Sequence, residues 1–499
     1  MKLRLLWAWY GVLATLVGIG LAHLAASLTD PASSPVLAVG SGVIDLTPTP
    51  MKEWAIRTFG DADKIILVGS VMAGVLVLAA VAGILARKRF AVGAGLLVAL
   101  VGIAAVAVLT RPEVSLLDIV PSLVAAVVAP LALHLLSRTQ KQHDEHGGRR
   151  TVLLTMLAVG ATAAVGGVAG RVISGLRLRP EDIDLPTPAE PAPPLPRGID
   201  DQVPGITKFR TDNSDFYRVD TRLDTPIVGA DDWTLTIDGD VDKKVTITFD
   251  ELLDMPMIER DITLTCVSNS VGGPYVGSAR WLGVRLTDVL EMAGVGDKAD
   301  QILSTDFDGM TISTPLDLAT DGRDAMIVVG MNGKALPREH GFPVRMIIPG
   351  LYGFISATKW LTKLTLTTYA EREAYWTERD WATDAPIKVA ARIDTPRALA
   401  KIDAGEIIVG GVAWAQERDG IDKVEVSIDG GKWVPAELGP DGGENYWRQW
   451  FYKWPDADSG SHRIAVRAVA GSGEAQTAVR AEPFPNGASG LHQLLVTVR

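Results

Sequence analysis

Cys266 is the only cysteine among 499 residues, so the chain can form no internal disulfide and the thiol is left for other uses. A lone cysteine is most often a small buried hydrophobe. Its neighbours point further. Thr263-Leu264-Thr265-Cys266-Val267-Ser268-Asn269 reads as a strand ending at the sulfur, with Gly272-Gly273-Pro274 as the turn that follows. That order brings a thiolate to the mouth of a sheet, where it suits a soft or high-valent metal, and ligation removes the proton the thiol would otherwise keep. A second stretch runs from His340-Gly341-Phe342-Pro343-Val344-Arg345 through a glycine turn at Gly353 to Ser356-Ala357-Thr358-Lys359-Trp360. One His, one Arg and one Lys around an apolar strand and a glycine turn supply the convergent cations and exposed amides that a phosphate needs. A cysteine hydrolase would use some of the same residue types. His340, however, has no recognisable partner acid and no oxyanion-hole motif accompanies it.

The elements that must position these groups fall into an α+β block over 205–392. Trp233-Thr234-Leu235-Thr236-Ile237 and Val245-Thr246-Ile247-Thr248-Phe249 alternate with period two, as strands do. Arg285 to Ala293 has helical spacing with Gly294 as its stop, and Met331-Asn332-Gly333 reads as a tight turn after a strand. Over 393–499 the pattern changes to short strands with frequent glycines: Glu406 to Val412, Lys423 to Ile428, Trp447 to Trp454, His462 to Val469 and Leu494 to Val498. This spacing predicts an immunoglobulin-like β-sandwich. Residues 176–204, rich in Pro and acidic groups, read as an extended spacer.

The amino-terminal half is a different kind of chain. Five apolar runs, roughly Leu5 to Ala26, Ile65 to Leu85, Phe90 to Leu109, Leu116 to Leu136 and Val152 to Val172, are each long enough to cross a bilayer as a helix. Residues 1–175 are thus expected to form a five-helix transmembrane anchor. Lys and Arg concentrate in the amino-terminal tail, at Arg87-Lys88-Arg89 and at Arg138, Lys141, Arg149 and Arg150, which places those segments in the cytoplasm and everything after the fifth span outside it. Arg149-Arg150 before an apolar run also fits a twin-arginine signal for export of a folded domain. His23 and His134 lie within spans without the bis-His spacing of a haem site and are expected to pack between helices. The net charge is +7 over residues 1–179 and −18 over 180–499. So acidic a soluble part argues against nucleic acid as a partner.

Together the two chemical segments resemble the molybdopterin domain of the sulfite oxidase family, from about Phe216 to Trp381. The region containing Val424-Glu425-Val426-Ser427-Ile428-Asp429-Gly430-Gly431-Lys432-Trp433 is similar to that family's C-terminal dimerisation domain. The resemblance implies a molybdenum–molybdopterin cofactor with Cys266 as the metal ligand. It implies that Phe216, Asn269, His340, Arg345, Ser356, Ala357, Thr358 and Lys359 contact the pterin, and that Arg218 binds substrate. Trp381 stands where sulfite-oxidising members place a catalytic tyrosine. Val219-Asp220 replaces the family's Asn-His, and Ser270 and Val271 replace arginines. These departures resemble bacterial relatives that act on other oxo acceptors, including sulfoxides. The expected function is oxygen-atom transfer on a small oxo substrate, such as sulfite or a sulfoxide, outside the cytoplasmic membrane of a bacterium. No haem-attachment or iron–sulfur motif is present, so electrons are expected to pass to a separate partner, a membrane cytochrome or the quinone pool, and a homodimer is compatible with the C-terminal domain. The rival reading is a non-catalytic membrane-anchored surface binding protein with Cys266 merely buried.

Overall fold

The computed structural model describes residues 2–59, 62–111, 114–146, 149–177 and 183–499. The chain divides into two compact units, Met1–Arg179 with Thr221–Ile227, and Pro180–Asp220 with Val228–Arg499.

In the first unit, five helices among the described residues are long and apolar enough to cross a membrane: Leu3–Leu28, Asp63–Ala86, Phe90–Leu109, Leu116–Asp144 and Arg149–Arg177. The first packs against the second, fourth and fifth of these. Small residues permit the close approach: a Cβ added at Gly11 would lie 1.9 Å from the carbonyl oxygen of Ala79, and one at Gly83 would lie 2.0 Å from that of Trp7. Tyr10 Oη donates to Gln140 Oε1 at 2.7 Å, so two polar side chains in the bundle satisfy each other. His134 packs edge-on against Phe90, with ring centroids 5.4 Å apart, and His23 lies against Gly170. Both are packing histidines. Two helices not anticipated from the sequence, Pro35–Leu46 and Thr49–Phe59, lie between the first two long ones; twelve and eleven residues are too few to span a bilayer. The segment Thr221–Ile227 belongs to this unit, with Arg222 O accepting from Lys64 Nζ at 2.6 Å.

The second unit opens with residues 183–204, which are extended as expected but laid against the folded chain rather than spanning free space. Glu190 bridges to Ile258 and pairs with Arg260 and Arg285, while Ile199, Val203 and Ile206 form a small apolar cluster with Ile408 and Phe451. The isoleucines and valine spaced among the prolines supply that apolar anchorage. Residues 178–182 of the segment read as a spacer lie outside the described residues.

Two sheets carry the α+β part. One runs in the order Val245–Thr248, Thr234–Gly239, Leu361–Thr367, Gln301–Asp306, Thr311–Pro315. The other pairs Ile258–Thr265 with Val276–Arg285, then Met326–Met331, against which Lys334–Ala335 and Arg345–Ile347 also pair. Local chemistry sets the joints. Thr248 and Glu251 form a capping box at the helix Phe249–Leu253, and Gly294 at φ +71° ends Leu286–Ala293. Asn332 and Gly333, both at positive φ, close the hairpin after Met331. Fully buried Trp281, Leu235, Ile237 and Phe342 fill the core between these elements.

The β-rich C-terminal region begins at Ala390–Thr395, which pairs with Gly405–Trp414. A four-stranded and a five-stranded sheet enclose one apolar core that includes Trp450, Val424 and Val466. The strands Gly405–Trp414, Ile421–Ile428, Arg448–Ala457, Gly460–Ala470 and His492–Val498 fall where the sequence pattern placed them. Trp447 packs instead in the α+β core, where its indole N–H donates to Phe209 O at 2.7 Å.

Candidate active site

Strand Ile258–Thr265 pairs with Val276–Arg285 up to Thr265 opposite Val276, and the chain then turns away at Cys266. Cys266 N donates to Tyr275 O at 3.0 Å, Asn269 N to Cys266 O at 3.0 Å, and Tyr275 N to Asn269 Oδ1 at 2.9 Å. Asn269 therefore braces the cysteine loop. From outside the loop, Arg392 Nη1 donates to Gly273 O at 2.9 Å, so a strand of the C-terminal region fixes it as well. Cys266 is 8% exposed, and its sulfur accepts a long hydrogen bond from Ser268 N at 3.4 Å. Burial pushes the thiol pKa up, while the Ser268 amide and the charge of Lys359 pull it down. Donors already aimed at the sulfur favour its anionic, metal-binding form.

The basic residues His340, Arg345 and Lys359 gather in one group, of which Lys359 lies within electrostatic reach of the cysteine. His340 ends the short turn Arg338–His340, and its Nε2 donates to Asn213 O at 2.8 Å. Asn213 is held in turn by Asn332 of the hairpin, whose Nδ2 donates to Asn213 Oδ1 at 2.7 Å. Burial and the cations Arg345, Lys359 and Arg218 lower the His340 pKa to about 4, so the ring is neutral near pH 7. Arg345 enters from strand Arg345–Ile347, stacks over Trp281 with its guanidinium carbon 5.3 Å from the ring centroid, and donates from Nη1 to His340 O at 3.0 Å. Its Nε is buried with no hydrogen-bond partner, and burial depresses its pKa to about 10. Lys359 passes close to Gly341: a Cβ there would lie 3.1 Å from Lys359 Cα, and the φ of +112° independently calls for glycine. Lys359 Nζ donates to Asp220 Oδ2 at 2.7 Å and to Glu339 O at 3.3 Å. Burial lowers its pKa to about 8, against the raising effect of Asp220.

Phe216 forms a wall of the site, edge-on to His340 and to Trp281 at 5.5 Å and 5.6 Å between centroids. Tyr217 stacks on Phe216 at 5.2 Å, and its phenol, within the electrostatic reach of both Cys266 and Arg345, is held well above the usual tyrosine range by burial and then by the cysteine. Arg218 Nε donates to Asp220 Oδ2 at 2.7 Å. Other expected contacts are directed elsewhere. Ser356 Oγ donates to the carbonyls of Leu351 and Tyr352, Thr358 Oγ1 bonds Ser304 Oγ, and Ala357 N donates to Gly353 O. Of residues 356–359, Lys359 alone sends its side chain into the cationic group. Trp381 packs in an aromatic cluster with Phe354, Trp376 and Phe484, at 5.5, 5.8 and 5.2 Å between centroids. Among the described residues no group of three His, Cys, Asp or Glu could hold a metal ion, so a metal at Cys266 needs ligands from a cofactor. The buried guanidinium of Arg345, with its unpartnered Nε, fits the anionic group of such a cofactor.

Residues 222–376 match the family model of the oxidoreductase molybdopterin binding domain. The mitochondrial sulfite oxidase of Drosophila melanogaster is 29% identical over 316 residues, covering 52% of this chain and 54% of that protein. Its Homo sapiens counterpart is 31% identical over 265 residues, covering 43% and 47%. The crystal structure of the sulfane dehydrogenase SoxCD from Paracoccus pantotrophus covers 59% of this chain and 84% of its own, with a TM-score of 0.50 and 21% identity, a likeness of fold. The chain spans about half the length of these two sulfite oxidases. Residues 222–376 thus carry a molybdopterin-binding oxidoreductase domain similar to that of these sulfite oxidases, and molybdopterin is its cofactor.

Proposed function

We propose that the chain is a membrane-anchored oxidoreductase that transfers an oxygen atom to or from a small substrate, with Cys266 as the protein ligand to molybdenum. The observation that carries this reading is Lys359 within electrostatic reach of the Cys266 sulfur, in one group with neutral His340 and with Arg345, a buried guanidinium that still has a hydrogen bond to give. The cofactor supplies two-electron oxygen-atom transfer when bound. The protein's own part is binding and orientation: Arg345 holds the anionic end of the pterin, the Ser268 amide orients the sulfur, and Phe216 keeps His340 in place. In one direction sulfite and water become sulfate, two electrons and two protons; in the other a sulfoxide, two electrons and two protons become a sulfide and water.

The five apolar helices act as the anchor, the basic loops lie in the cytoplasm, and the catalytic unit is exported through the twin-arginine signal at Arg149-Arg150. The two C-terminal sheets form an immunoglobulin-like sandwich of the dimerisation type, and a separate membrane cytochrome or quinone pool exchanges the electrons. The binding-protein alternative leaves the buried, unpaired Arg345 Nε without a purpose. The test is metal analysis of the purified full-length protein, followed by assay with sulfite and an artificial electron acceptor and with sulfoxides and an artificial donor. Molybdenum with turnover of either substrate supports the reading; a metal-free protein inactive in both assays contradicts it.

A further inference from the structure

Asp220 lies between two members of the cationic group, Arg218 and Lys359. Its side chain is 7% exposed, and one oxygen, Oδ2, lies 2.7 Å from both Arg218 Nε and Lys359 Nζ. Arg218, at 30% side-chain exposure, is the cation of the group most open to solvent and so the one best placed to meet an incoming anion. Two attractive pairs at this distance in a poorly solvated pocket outweigh what a dilute anion in water can offer either cation, because the carboxylate is covalently held and already desolvated. An anionic substrate would have to approach a carboxylate to reach Arg218, and like charges in a poorly solvated site repel strongly. Arg345, whose Nε is buried without a hydrogen-bond partner, keeps its capacity for an anion. The same cluster thus contains one cation left open and two that are internally neutralised.

We propose that Asp220 is a specificity-determining residue: by clamping Arg218 and Lys359 it removes the oxyanion site at the substrate end of the pocket and selects uncharged oxo substrates, of the sulfoxide class, over sulfite. This rests on the oxygen-transfer reading and narrows its substrate.

The experiment uses the full-length, molybdenum-loaded protein in detergent, as wild type and as Asp220→Asn, a near-isosteric change. Sulfate affinity is measured by calorimetric titration, and kcat/KM is measured for sulfite oxidation and for dimethyl sulfoxide reduction. The proposal expects sulfate to bind the variant at least about tenfold more tightly, and the sulfite-to-sulfoxide ratio of kcat/KM to rise by a similar factor. Unchanged sulfate affinity with an unchanged ratio overturns it. The wild type gives a second arm that needs no variant: dimethyl sulfoxide should be preferred at least about tenfold to a sulfoxide of similar size carrying a carboxylate, and equal use of the two overturns the proposal. Molybdenum content of the same samples separates the levels of failure. A metal-free wild type counts against the oxygen-transfer reading itself, whereas a loaded protein indifferent to substrate charge counts against the clamp alone.

Discussion

A guanidinium held in the interior without a carboxylate beside it destabilises the fold that contains it, and Arg345 is such a group, with its pKa lowered by burial and its Nε unpartnered. Residues of this kind are kept for what they bind. Arg345→Met should therefore leave the cofactor-free protein as stable as the wild type or about 1–2 kcal/mol more stable, while its retained molybdopterin falls steeply. Denaturant unfolding of cofactor-free protein and pterin content after purification check the two halves of that statement. The sequence offers Cys266, His340, Arg345 and Lys359 as candidates because their types and neighbouring glycines are specific, and folding gathers His340, Arg345 and Lys359 into one group. Asp220 was visible only as a replaced residue, since its partner Lys359 is brought to it by folding and no local pattern links the two. The hydroxyls of Ser356 and Thr358 could not be oriented in advance, because hydrogen bonds to Leu351, Tyr352 and Ser304 depend on how the turn packs.

At the scale of elements, the cysteine loop is held as much by the C-terminal strands as by its own sheet. Arg392 bonds Gly273 O, and the ring of His492, which accepts from Ile393 N at 2.9 Å, lies against Gly272. Burial and the nearby cations Arg392 and Arg480 lower the His492 pKa to about 4, with Asp394 opposing them. The unfolded chain binds this proton near pH 6.5, so the folded state loses stability as pH falls from about 6.5 toward 4 and is unaffected by this group above that window. His492→Gln should flatten the pH dependence of unfolding across that interval; an unchanged slope would show that the ring does not titrate there. Strands and caps with a strict period or a capping box, such as Thr248–Glu251 and the Asn332-Gly333 hairpin, were readable from the sequence. The anchorage of residues 183–206 was not, because three scattered apolar side chains, Ile199, Val203 and Ile206, make no periodic signal.

Considered as a whole, the molecule joins a bundle with five membrane-length helices to an acidic, molybdopterin-binding β-rich unit. The proposed topology makes a direct prediction: the full chain stays in the membrane pellet after alkaline carbonate extraction, and reporters fused at residue 147 and at the C-terminus report opposite sides. Reporters on the same side contradict an odd number of spans. The five long helices were evident from hydropathy alone, whereas Pro35–Leu46 was not separable from a loop because it is too short to announce a span. The central claim, that the Cys266 sulfur is bonded to a pterin-held molybdenum, is tested most directly by X-ray absorption at the molybdenum edge on purified wild type and Cys266→Ser. The wild type should show one more sulfur in the metal's coordination shell than the variant. An equal sulfur count in the two proteins, or a wild type that carries no molybdenum to measure, contradicts it.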